Sequence, residues 1–121
     1  MRPIPRRDIL APRLYLVQGG SMAPAIPADS LVAVAPLQGS PRAGDVIAYR
    51  DPRGGRVIVH RVVSVGAGGA LTRGDANACC DPLPVPEDAW LGRIVWASPI
   101  LGRLALLLRG ENAARRRDGG G

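Results

Sequence analysis

The sequence predicts an all-β domain of barrel or sandwich type, on three observations. Six short apolar runs alternate with turn-forming clusters, and several are rich in β-branched residues. Glycine and proline, 16 and 12 of 121 residues, recur too often for long helices. One segment alone, near the C-terminus, has the Leu/Ala/Arg composition of a helix.

The elements follow in order. "LYLV" (14–17) is a short strand ended by Gln18 and the pair Gly19-Gly20. "SLVAVA" (30–35) follows "PAD" and stops at Pro36, and "GDVIAYR" (44–50) runs between the loop "QGSPRA" and the turn "DPRGG". "RVIVHRVVSV" (56–65) is the strongest strand signal, and "ALTR" (70–73) pairs back on it as a hairpin across "GAGG". "AWLGRIVWA" (89–97) is the last strand. "LGRLALLLRGENAARRR" (101–117) reads as the helix, and the closing "DGGG" reads as disordered. The chain divides into a basic arm (1–13), one domain (14–100) and a Leu/Arg-rich tail (101–121).

Charge bounds the partners. All sixteen basic residues are Arg, and the net charge is +6. Each end carries +3, whereas seven Arg and seven acids leave residues 14–102 neutral. Positive ends on a neutral body favour an anionic membrane surface or solubility over a nucleic-acid groove. No aromatic side chain interleaves the terminal arginines to stack on bases. Cys79 and Cys80 are adjacent, which suits neither a disulfide framework nor a zinc site. "MRPIPRRDILAPR" lacks the apolar run of a secretory signal. "IVWASPILGRLALLL" is broken by Pro99, Gly102 and Arg103 and falls short of the ~20 apolar residues of a spanning helix.

Three residue types carry the candidate chemistry. Ser21 stands behind two glycines in "GGSMAP", where serine is either a turn residue or a presented nucleophile. A serine nucleophile needs a base, and His60 is the sole histidine. Period-two alternation puts His60 with Ile58, Val62 and Ser64 on one strand face, and Arg61 on the other. An imidazole base needs a carboxylate to fix its tautomer; Asp75 and Asp81 both follow the next strand. Taken singly, each is weak: a lone strand histidine is commonly structural, and an Asp in "TRGDAN" is an ordinary turn acid.

Five segments in order together resemble the signal peptidase I family. "GGSMAPAI" with a following acid resembles the box around that family's nucleophile, and "RAGDVIAYR" its Gly-Asp-Val/Ile strand. "VIVHRVVSV" is similar to the His-Arg-Val strand of the archaeal and endoplasmic-reticulum branch. "LTRGDAN" with a second Asp six residues on, and "LGRIVW", resemble its last two boxes. The likeness runs from Leu14 to Trp96. It implies a LexA/signal-peptidase-like fold, a coiled β-sheet of barrel or sandwich type with a short C-terminal helix. It implies a serine endopeptidase cutting a leader or signal peptide after small residues, without cofactor or metal. Ser21 would be nucleophile, with its own N–H as oxyanion donor, and His60 the general base in place of the lysine of most bacterial members. Asp75 would orient His60, with Asp81 supporting the site. Met22 and Ile26 are candidates for lining the substrate pockets, although Met22 is equally suited to core filling.

The sequence departs from the family at three places. Gly19 stands where many members carry a second oxyanion donor, "ACC" occupies the loop between the aspartates, and no membrane anchor is expected from the short N-terminal arm. Two other functions fit the same fold: a non-catalytic module that binds peptides by strand addition, and a self-cleaving regulator, which is less expected because residues 1–13 offer no domain to release. The tail suggests peripheral membrane attachment, or, as alternatives, a helix packed on the sheet or a cytoplasmic enzyme.

Overall fold

The computed structural model describes residues 12–17 and 19–119, with side chains as far as residue 110. Most of the basic arm, and residues 120–121 of the glycine tail, lie outside the described residues. The elements are β1 (Arg13–Val17), β2 (Ser30–Ala35), β3 (Val46–Arg50), β4 (Val57–Gly66), β5 (Gly69–Arg73), β6 (Trp90–Ser98) and α1 (Pro99–Gly119), with a 3-10 turn at Glu87–Ala89.

The six strands form one antiparallel sheet in the order β1-β2-β6-β3-β4-β5, an open sheet rather than a closed barrel. The sheet coils, because residues of its far-apart strands share one core. Tyr15 and Val17 of β1 pack with Val57 and Val59 of β4 around Met22, Ile26, Val32, Val34 and Ala48. The opposite face holds a second core of Ile47, Tyr49, Val62, Ala70 and Val85. Burying an aliphatic side chain of this size contributes about 1.5–3 kcal/mol, so both faces of β3 and β4 stabilise the sheet.

Two element starts shift by two residues from the sequence reading, each for a local reason. β3 begins at Val46 rather than Gly44 because Asp45 closes a turn: its carboxylate accepts the Arg42 N–H (2.9 Å) and its own N–H donates to the Arg42 carbonyl (3.0 Å). The helix begins at Pro99 rather than Leu101 because Ser98 caps it, its Oγ accepting the Leu101 N–H at 3.1 Å. Proline in the first helical position has no N–H to leave unsatisfied. The same helix continues to Gly119, through the first two residues of the expected disordered end.

Two ladder edges matter for the site. β1 pairs only with β2 among the described strands. β4 pairs with β3 over Val57–Arg61 but with β5 only from Arg61 onward. The first residues of β4 thus offer an edge that no described strand takes up.

Candidate active site

Ser21 is fixed from three directions. Met22, fully buried beside it, anchors the segment in the first core. The turn is held by bonds from the Ala23 N–H to the Gly20 carbonyl (3.1 Å) and from the Ile26 N–H to the Met22 carbonyl (2.8 Å). The loop after β5 grips the serine's own backbone, the Ala76 N–H donating to the Ser21 carbonyl at 2.8 Å. Gly74 makes that approach possible: a Cβ there would lie 2.7 Å from the Ser21 carbonyl oxygen.

His60 comes from the middle of β4, on the face of the second core. Its residue is 8% exposed, low enough to hold one ring orientation and high enough to meet a substrate at its edge. Nε2 lies 3.0 Å from Ser21 Oγ, and Nδ1 lies 2.6 Å from Asp81 Oδ2. The ring nitrogen facing a carboxylate carries the proton, so the network assigns the neutral imidazole its proton on Nδ1 and a bare Nε2. Nε2 then accepts the serine O–H. The Ser21–His60 distance is within the range for direct proton transfer.

Asp81 is the hub of the inner end. Its Oδ2 accepts from His60 Nδ1 and from Thr72 Oγ1 at 2.6 Å, and its N–H donates to the Thr72 carbonyl at 2.8 Å. The Tyr49 hydroxyl stands 3.4 Å from both Asp81 Oδ2 and Thr72 Oγ1, long for hydroxyl hydrogen bonds. Tyr49 also meets the His60 ring edge-on, with centroids 6.3 Å apart. Burial first, and the neighbouring Asp81 charge after it, push the Tyr49 hydroxyl up to about 12, against the opposing Thr72 hydrogen bond. It therefore stays neutral beside the carboxylate.

The two aspartates exchange the places expected of them. Asp75 does not reach His60; its carboxylate takes a two-pronged contact from Arg61, Nε at 2.9 Å and Nη2 at 2.8 Å. The reason is alternation. Arg61 projects from the face of β4 opposite His60, and Arg73, two residues before Asp75, pairs with Arg61 across the hairpin. Val62 pairs with Thr72 on the other face, and the backbone bond from Asp81 to Thr72 brings Asp81 to His60 there. The Arg61 hydrogen bonds hold the Asp75 carboxyl below its ordinary value of 3.8, more than burial raises it. Asp75 thus clamps the loop whose next residue holds the Ser21 carbonyl.

The expected substrate-pocket residues are also displaced. Met22 (0% exposed) and Ile26 (6%) lie inside the first core, where no peptide can touch them. The open groove at Ser21, about 440 Å³, is walled instead by Tyr15, Leu16 and Val17 of β1 and by Val57–His60 of β4. A second cavity of about 450 Å³ lies on the other side of His60, bordered by Tyr49, Ile58, Asp81 and the segment Pro82–Pro86. Thr72 and Tyr49 escaped the sequence reading. Thr72 is fully buried on a strand that pairs with β4 beside His60, and that parity was the available signal.

Cys79 and Cys80 are both exposed and unbridged in the loop between the aspartates. Among the described residues no three His, Cys, Asp or Glu side chains converge as a metal site would require. No protein-family model matches the chain, and no curated protein matches it.

Proposed function

We propose that this chain is a serine endopeptidase of signal-peptidase type, acting on an extended peptide and cutting after small residues. The observation that carries the proposal is the unbroken line Ser21 Oγ, His60 Nε2, His60 Nδ1, Asp81 Oδ2, at 3.0 and 2.6 Å. Ser21 Oγ adds to the scissile carbonyl carbon while its proton passes to His60 Nε2. Asp81 stabilises the resulting imidazolium through Nδ1–H. The Ser21 N–H stabilises the oxyanion. Collapse breaks the C–N bond, and Nε2 gives its proton to the leaving amine. Water then attacks the acyl-serine, losing its proton to the same nitrogen; the ester C–O bond breaks, Nε2 returns the proton to Ser21 Oγ, and the acid is released.

The groove supports a peptide in extended form. It lies between β1 and the unpaired start of β4, with Ser21 and His60 at its side. A peptide laid there gains main-chain hydrogen bonds to a sheet edge, whatever its side chains. Peripheral membrane association is part of the proposal; no described helix is long and apolar enough to cross a membrane.

The test is incubation of the purified chain with a library of peptides carrying small-residue sites, with the products sequenced. Cleavage after Ala or Gly that disappears in Ser21→Ala is the expected result. Peptide binding without cleavage would assign the groove to a non-catalytic peptide-binding module instead.

A further inference from the structure

An amphipathic helix normally turns its apolar stripe towards the protein; α1 turns it outward. The helix packs on β2 through buried Gly102 and half-buried Ala105 and Leu106. Contact at Gly102 is so close that a Cβ there would collide with the Asp29 carbonyl, so this side of the helix is fixed on the sheet. At 100° per residue, Ile100, Leu101, Leu104, Leu107 and Leu108 fall within an arc of roughly 120° on the opposite side. All five are between 42% and 78% exposed. Five adjacent aliphatic side chains facing water are more than the scatter of single apolar residues found on any surface.

We propose that this stripe binds the surface of an anionic lipid bilayer, with α1 lying in the plane of the headgroups. Charge selects this occupant. Residues 99–110 carry Arg103 and Arg109 and no acid, on a chain of net charge +6. Arg103 flanks the apolar arc roughly 40° beyond Leu107, where its guanidinium group reaches headgroup phosphates while the leucines enter the acyl boundary. A second copy of the chain would bring the same positive charge to the contact, whereas an anionic bilayer neutralises it.

Sedimentation with large unilamellar vesicles tests this on the full chain. One set is phosphatidylcholine alone, the other phosphatidylcholine with phosphatidylglycerol. Wild type should sediment with the anionic vesicles and much less with the neutral ones. The triple variant Leu104→Gln, Leu107→Gln, Leu108→Gln should lose about tenfold or more of that binding. Its melting temperature should not fall, because all three positions are exposed. Arg103→Gln should weaken anionic binding about fivefold and leave neutral-vesicle binding alone. Binding by the triple variant at the wild-type level overturns the proposal, as does a wild type that ignores anionic vesicles. So does a wild-type dimer that the triple variant converts to monomer, which would give the stripe to self-association. The readout involves no cleavage, so failure here leaves the serine chemistry standing.

Discussion

Replacing Gly74 by alanine tests how tightly the β5 loop sets Ser21. The new Cβ would lie 2.7 Å from the Ser21 carbonyl oxygen, 2.8 Å from Asn77 Nδ2 and 2.9 Å from Ser21 Cβ. Ordinary contact begins at 3.4 Å, so Ser21 or the loop must yield by roughly 0.7 Å. Neither is free to do so: Ser21 is tied to buried Met22, and the loop to Arg61 through Asp75. A misplacement near 1 Å costs about 10²-fold in rate, so Gly74→Ala should lower peptide turnover by about 10- to 10²-fold. Overpacking of about 1–3 kcal/mol should lower the melting temperature by roughly 5–15 °C. The assay is turnover of a cleaved peptide, with a thermal melt on the same preparations. Gly54→Ala is the control, since nothing lies within 4 Å of a Cβ there, and it should match wild type in both. A Gly74→Ala chain with wild-type turnover and melting temperature would show that the β5 loop does not fix Ser21.

Three further outcomes follow from the same contacts. Met22→Ala should destabilise the fold by about 2–5 kcal/mol in denaturant unfolding, because Met22 is fully buried; wild-type stability would return it to the substrate pocket. The Asp75 carboxyl is held below its ordinary value of 3.8 by Arg61. Its stabilising effect is therefore complete above that pH and lost as the pH falls through the folded-state value. Acid unfolding should be shallower in Asp75→Asn, and an unchanged acid limb would dismiss the clamp. Tyr49 ionises at about 12 in the fold against an ordinary 10.0, so stability should decline as the pH rises between those values. Alkaline unfolding of Tyr49→Phe should lack that decline.

Strand positions were legible in the sequence because β-branched runs and Gly/Pro clusters are local signals. "SLVAVA" and β2 coincide, and the other strands differ by a residue or two. The closeness of Ser21 and His60 was legible because few residue types suit a nucleophile and its base. The choice between Asp75 and Asp81 was not, since it depends on hairpin register. Arg61 faces Arg73 and Val62 faces Thr72, and that register sends one aspartate to each face. Of the two uses open to Met22, pocket lining and core filling, the core use holds, for a related reason. Sequence adjacency to Ser21 suggested shared exposure, but successive residues in a tight turn point in different directions. The open edge of the sheet was equally hidden, because pairing between β2 and β6 spans more than fifty residues of chain.

The central claim is that Ser21 is activated by His60 and His60 is oriented by Asp81, with Asp75 outside the relay. Labelling the full chain with a fluorophosphonate, and locating the adduct by peptide mass mapping, tests it most directly. An adduct on Ser21 is expected, and His60→Ala should almost abolish it. Asp81→Asn should slow labelling by about 10²–10⁴-fold, because an amide no longer fixes the tautomer. Asp75→Asn should slow it by less than about tenfold, by loosening the loop alone. Labelling of Ser21 at full rate in His60→Ala, or an Asp75→Asn chain slower than Asp81→Asn, would contradict the account.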